Sequence, residues 1–306
     1  MPKVFRFREY GGPETQEFAD VGKPQPGPGE ILLAARAAGV NPVDHKVRSG
    51  RFRDFQSRAL PSEFGSEVSG VIEEIGAGVE GFSVGDEVFG WPASGHGAFS
   101  EYTVLSQDSV AVKPPQVSFA DAATLSVAAA TAYDGLAQLG LSAGQTLLIT
   151  GIGGGVGVAA TQLARNEGIS VYGTGSQSKR ELVESLGASL VSYGDGVSER
   201  LRESLPDGVD GIFDLVGGEA LAAVAGLVND PGKLISAAAP DLAAKFGGAA
   251  VRRDRSARVL AEVARLAAEG TLNPQVTSVV AFDDAPAAIA AVESGHPLGK
   301  VVLRIS

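Results

Sequence analysis

Hydrophobic positions follow two rhythms along the chain. Through the first third, short apolar runs alternate with turn residues: VFRF, ILLAARAAGV, EVSGVIEEI, DEVFG and FSEYTVL are separated by PQPGPGE, by Gly76 and Gly78, and by the GHG at 95–97. Such runs predict short strands and an all-β region. From about residue 120 the pattern changes to alternating strand and helix, with TLLITG as a buried strand, a helix over 156–167 and SVYGTG as the next strand. That alternation predicts a parallel sheet. It continues through a helix ending near LGAS at 186–189, strands at LVSY, GIFDLV and KLISAAA, and an Ala- and Leu-rich helix from about Ser256 to Glu269. Strand-like pattern then returns in QVTSVVAF and GKVVLRIS. The fold class expected is α/β: a β domain made from both ends of the chain around an inserted doubly wound domain.

Composition narrows the functional classes. A length of 306 residues, 44% of them hydrophobic, is enough for two cores. The formal net charge of -11 repels a phosphate backbone, so nucleic-acid binding is not expected. No apolar run reaches the length of a membrane span, and MPKVFRFREY mixes charges with apolar groups, which predicts a cytoplasmic protein without a membrane partner. With no cysteine, disulfides, thiol catalysis and thiolate metal sites are all excluded.

The segment TLLITGIGGGVGVAATQLA carries the most chemistry, because a strand runs into a glycine-rich turn and directly into a helix. Glycines allow the tight turn and the close approach of a pyrophosphate, and the helix start supplies amides and a favourable dipole. Compared with G-x-G-x-x-G, the first glycine position is Ile152, while Gly154 and Gly157 match; glycine at 151, 154 and 157 describes the loop better. An NAD site usually has an acidic residue after the second strand for the ribose hydroxyls. Here that position reads GTGSQSKR, with Ser176, Lys179 and Arg180 and no acid, so the expected cofactor is NADPH, its 2'-phosphate met by hydrogen bonds and positive charge.

Ordered landmarks extend beyond this loop: AAGVNPVDHKVRSG at 37–50, GSEVSGVIEEIGAGV at 65–79, FSVGDEVFG at 82–90, GAFSEYTVL at 97–105, TAYDGL at 131–136, FDLVGG at 213–218 and a closing GKVVL. On these the chain resembles, over essentially its whole length, the zinc-free quinone oxidoreductases of the medium-chain dehydrogenase/reductase superfamily. The resemblance implies a GroES-like β domain over 1–122 and 270–306, and a Rossmann domain over 123–269 with the active cleft between the two. It also implies a homodimer acting on a small-molecule quinone or enone. The zinc alcohol dehydrogenases of the superfamily have a cysteine where this chain has Asn41 and a histidine where it has Ser66. His45, His96 and His296 have no ligand spacing, and no metal is expected. The quinone oxidoreductases often carry a tyrosine two positions after the NPVD aspartate; this chain has Lys46 there, which looks more like the alkenal and enone double-bond reductases.

By the same resemblance, Asn41 and Thr131 face the nicotinamide and the reacting carbonyl as neutral hydrogen-bond donors. Lys46 is either a cleft cation for the enolate oxygen or an exposed loop lysine. Asp44 is expected to hold its own loop through backbone amides. Gly151, Gly154, Gly155, Val156 and Gly157 should line the pyrophosphate, and Tyr193 the adenine or the 2'-phosphate. Val216, Gly217 and Ala237 fall where the nicotinamide ribose lies at strand ends. Lys300 approaches the cofactor or is solvated. No histidine-tyrosine-serine relay stands out, so the final proton is expected from water. The alternatives are a 2-haloacrylate-type reductase and a non-catalytic, crystallin-like NADPH-binding protein, since fold does not fix function. The loop RFRDFQSRALP is expected to wall the substrate side.

Overall fold

The computed structural model describes residues 1–54, 58–295 and 297–306. His296 and residues 55–57 of the RFRDFQSRALP loop lie outside the described residues. The chain forms two compact units: unit 1 comprises Met1–Val127, Arg255–Ala268 and Gln275–Ser306, and unit 2 comprises Ala128–Asp254 and Glu269–Pro274.

Unit 1 begins with strands β1 (Lys3–Phe7), β2 (Gln16–Asp20), β3 (Glu30–Val40), β4 (Ser62–Glu63), β5 (Val68–Ile75), β6 (Glu87–Pro92) and β7 (Tyr102–Val112), with short helices α1 (Pro42–Arg48) and α2 (Phe119–Ala122). Unit 2 follows with α3 (Ala130–Leu139), β8 (Thr146–Thr150), α4 (Gly155–Asn166), β9 (Ser170–Gly175), α5 (Arg180–Ser185), β10 (Ser189–Ser192), α6 (Val197–Ser204), β11 (Gly211–Asp214), α7 (Gly218–Val224), β12 (Leu234–Ser236), α8 (Pro240–Lys245) and β13 (Ala249–Ala250). The chain then returns to unit 1 with α9 (Ala257–Ala268), β14 (Val276–Ala281), α10 (Ala285–Glu293) and β15 (Lys300–Arg304).

In unit 1 the order is β14-β15-β3-β5-β6-β7, and β7 pairs back onto β3, so the sheet closes on itself through the long strand β3. Closure removes two exposed edges, which strands this apolar otherwise leave open to other chains. Its interior is packed by Phe5, Phe7, Ile31, Leu33, Phe64, Val68 and Phe99. The rings of Phe5 and Phe64 stack at 5.1 Å. In unit 2 six parallel strands run β10-β9-β8-β11-β12-β13. Strand order reverses between β8 and β11, the place where loops diverge at the carboxyl ends and leave a crevice for ligands.

Two features differ from the sequence expectation. The helix expected to close the doubly wound domain, α9, groups with unit 1 and packs along β7. Its stripe of Val259, Leu260, Val263 and Ala264 is buried, but an amphipathic stripe says only that a face is covered, not which sheet covers it. The first crossing between units falls at Val127/Ala128 instead of 122/123. Among the described residues no helix is long and apolar enough to cross a membrane.

Candidate functional site

The carboxyl edge of the parallel sheet in unit 2 gathers most of the residues singled out for cofactor contact. Strand β8 ends at Thr150, and the turn that follows is fastened to β9 by the amides of Gly151 and Ile152, which donate to the Thr174 carbonyl at 2.9 and 3.1 Å. Gly151 sits at φ 69, a left-handed conformation that suits glycine, and a Cβ there would stand 2.8 Å from Val216 Cγ2. Gly154 is the residue before α4 and offers no side-chain acceptor to the helix start. The first amides of a helix have no partner within it, so Gly155, Val156 and Gly157 present donors to whatever lies beyond the turn. Ile152, the position that departs from the glycine pattern, is fully buried beneath the loop. A Cβ at Gly157 would meet the Ile152 backbone, with its Cα at 2.6 Å, so glycine here lets helix and turn come together.

The second strand delivers Ser176 and Lys179. Lys179 lays its stem over the loop: a Cβ at Gly153 would be 2.5 Å from Lys179 Cδ. Burial pushes the Lys179 ammonium below its ordinary pKa, and it has no ion-pair partner among the described residues. Ser176 Oγ lies 2.8 Å from Ser178 Oγ. Arg180, grouped with them by sequence, points elsewhere: it donates to Glu184 Oε1 at 2.6 Å and Gln177 Oε1 at 3.2 Å. Tyr193 follows β10 and is 65% exposed, with its amide donating to the Gly175 carbonyl at 3.2 Å.

One buried carboxylate shapes the remaining loops. Asp214 Oδ1 accepts from Thr150 Oγ1 at 2.6 Å and from the amides of Val216 and Gly217 at 3.2 and 3.0 Å. Its Oδ2 accepts from Ser236 Oγ at 2.6 Å, and its carbonyl from the Ala237 amide at 2.9 Å. The ends of β8, β11 and β12 are thereby tied to one side chain, leaving Val216 and Ala237 exposed at the edge. Also in unit 2, Thr131 on α3 accepts from Arg253 Nη1, and Arg253 Nε donates to Asp134 Oδ2 at 2.9 Å. The Thr131 hydroxyl oxygen is thus held as an acceptor by a cation.

In unit 1, Asn41, Glu67 and Lys300 form a buried cluster. Lys300 Nζ donates to Asn41 Oδ1 at 2.7 Å, Glu67 Oε1 at 2.9 Å and the Val40 carbonyl at 3.4 Å. Asn41 Nδ2 donates to Glu67 Oε1 at 2.8 Å and to the Gly39 carbonyl at 3.4 Å. Lys300, expected near the cofactor or in solvent, is 4% exposed and ion-paired. Beside it, Asp44 Oδ2 accepts from the Asn41 amide at 2.7 Å, holding the start of α1, and Ser66 Oγ donates to Asp44 Oδ1 at 3.3 Å. Burial, the largest influence, pushes Asp44 up to about 7, against the pull of the Asn41 amide and Lys300. Lys46, on α1, is half-buried; loss of solvent and, secondarily, Arg51 lower its pKa, and it has no ion-pair partner among the described residues.

The sequence patterns did not single out Glu67, Asp214 or Arg253. A signal existed for Asp214, a lone acid in the apolar run GIFDLV, where an unpaired charge is costly, whereas Glu67 stands just before β5 in a run that also holds Glu73 and Glu74. Arg253 lies in the charged stretch VRRDR and gives no such signal.

Residues 27–115 match the alcohol dehydrogenase GroES-like domain family, and residues 186–303 match the zinc-binding dehydrogenase family. A 2-methylene-furan-3-one reductase of Solanum lycopersicum is 36% identical over 252 residues, 75% of this chain and 64% of that protein. A quinone oxidoreductase of Mus musculus is 33% identical over 243 residues, 77% of this chain and 72% of that protein. A mycobacterial protein solved in complex with NADPH superposes with a TM-score of 0.89 at 28% identity, covering 100% of both chains. The chain therefore spans 64% of the length of the first of these relatives. A zinc ion, which the second family's description implies, does not fit the donors present. Asn41, Ser66 and Glu67 offer an amide, a hydroxyl and a carboxylate already paired with an ammonium, and no described group of three acidic or histidine side chains could hold a metal. With a relative 33% identical across 72% of its own length, and with one closed β unit and one doubly wound sheet of reversed strand order, the chain belongs to the medium-chain dehydrogenase/reductase superfamily.

Proposed function

We propose that this protein is an NADPH-dependent reductase that delivers hydride to a conjugated acceptor, a quinone or an α,β-unsaturated carbonyl. The observation that carries the reading is the bare start of α4 over a glycine cradle, flanked by Lys179 with no acid after β9. The amides of Gly155, Val156 and Gly157 bind the pyrophosphate, and Lys179 with Ser176 meets the 2'-phosphate. Val216, Gly217 and Ala237 line the nicotinamide ribose. NADPH supplies the hydride when bound.

On the acceptor side the chain offers neutral or singly charged donors. Hydride addition to a conjugated system places negative charge on an oxygen, where an amide or ammonium can stabilise it. Asn41 contributes the hydrogen that makes its longer contact, 3.4 Å to Gly39, and Lys46 contributes a cation that burial has made a readier proton donor. Ordinary alcohols and saturated aldehydes need stronger polarisation and are poor substrates.

The test follows NADPH oxidation with 1,4-benzoquinone, a simple enone and a saturated aldehyde. Conjugated acceptors should be reduced much faster; equal rates with the saturated aldehyde would rule the reading out. Loss of activity in Lys46→Ala for enones alone identifies the double-bond reductase, a second reading favoured by the half-buried Lys46, which has no ion-pair partner among the described residues. No turnover of any acceptor, with NADPH still bound, identifies the non-catalytic alternative.

A further inference from the structure

The Asn41–Glu67–Lys300 cluster is more elaborate than stability requires. The Lys300 and Glu67 side chains are 5% and 0% exposed. Desolvating such a pair consumes much of the attraction gained, and an aliphatic set of equal volume is often as stable. What aliphatic side chains cannot supply is orientation. Lys300 has three hydrogens, and all three are engaged. Each end of the Asn41 amide meets a charge of opposite sign: its oxygen faces the ammonium and its nitrogen the carboxylate. A flipped amide would set Nδ2 against Lys300 and Oδ1 against Glu67, so a single orientation survives. Room for the carboxylate comes from Gly39, where a Cβ would collide with Glu67 Oε1. The other carboxylate oxygen accepts from the Val127 amide at 2.8 Å, within the wide π-helical turn Leu125–Ala129.

We propose that Lys300 is a positioning residue: its fixed ammonium locks the Asn41 amide and the Glu67 carboxylate into one arrangement, and a small free ammonium ion can take its place. The inference rests on the function proposed above, in which Asn41 faces the reacting carbonyl. Lys300 itself touches neither substrate nor cofactor. Its charge sets the direction of Asn41 and, through Glu67, the amide of Val127.

Lys300→Ala removes the cation and leaves a space lined by three oxygens. The variant should lose roughly tenfold to a hundredfold in kcat, the usual effect of small misplacement at a reacting centre, with its NADPH Kd unchanged. Methylammonium should restore most of the loss, whereas tetramethylammonium, larger and without N–H donors, should not. Hydrogen exchange at the Val127 amide gives a readout that needs no turnover: it should quicken in the variant and slow again with methylammonium. Wild-type kcat in Lys300→Ala, or equal recovery with tetramethylammonium, would overturn the proposal. Unchanged Val127 exchange would overturn it even if wild type reduced no conjugated acceptor, an outcome that by itself removes only the functional reading. Should Lys300→Ala fail to fold, the charge-neutral pair K300M/E67Q decides. Folding at the wild-type Tm with slow turnover supports positioning, and wild-type turnover sinks it.

Discussion

The polar centres of the two units are built on opposite plans. In unit 2 the glycine edge is made of backbone: its amides face outward, its side chains are absent by design of the turn, and its one cation, Lys179, has no described counter-ion. In unit 1 the Asn41 cluster is made of side chains, and nearly every donor in it already has an acceptor. Buried polar groups must be satisfied by something. On the function proposed above, the open centre is completed by a ligand, and the closed centre holds its own members still. Damage to the first should appear in binding, and damage to the second in turnover.

The largest effect expected breaks the open centre. Gly157→Val forces α4 away from the Ile152 backbone and misaligns its first amides. Loss of two or three charge-assisted hydrogen bonds corresponds to roughly a thousandfold in NADPH affinity, measurable by fluorescence titration. An affinity within tenfold of wild type would mean that the cradle is not the pyrophosphate site. Next comes the closed centre: Asn41→Ala should lower kcat by about a hundredfold while leaving the NADPH Kd alone. A matching rise in Kd would erase the distinction between the two plans.

A smaller effect sharpens the open centre. Lys179→Ala should cost about tenfold in NADPH affinity and nothing for NADH, whereas Arg180→Ala, already paired with Glu184, should change neither. The smallest effect concerns Asp44. Its carboxyl is raised from 3.8 to about 7 in the folded protein, so folding takes up a proton between those values. Stability contributed by the neutral form is therefore present at low pH, is lost as pH rises through that window, and is level above about 7. Asp44→Asn lacks this loss, so its denaturation midpoint relative to wild type should rise with pH across the window. A constant difference from acid to neutral pH would show that folding does not raise the pKa of this carboxyl.

Legibility in the sequence followed the range of the interactions. The strand, glycine turn and helix of β8 and α4 are written in consecutive residues, and the expected helix over 156–167 appears as Gly155–Asn166. The apolar runs of the first third likewise marked β3, β5, β6 and β7, because each holds consecutive buried residues between turns. By contrast, Lys300 and Glu67 are separated by 233 positions, and no periodicity connects them. Lys300 and Arg180 each carry a charge whose partner is fixed only by tertiary packing, so sequence alone could not tell a cofactor contact from an ion pair. The short α1 went unmarked for a simpler reason: seven residues beginning with proline show less than two turns of period.

The placement of Lys300 on β15 also sets an order of assembly during synthesis. Every strand of the parallel sheet in unit 2 has been made once Ala250 is out of the ribosome. Unit 1 cannot finish its sheet until β15 emerges to pair with β3, some 260 residues after Val40. Throughout that interval Glu67 is an acid awaiting its base, and the segment around Asn41 has no reason to settle. Strand β15 thus carries both the link between β14 and β3 and the charge that balances Glu67 in the interior.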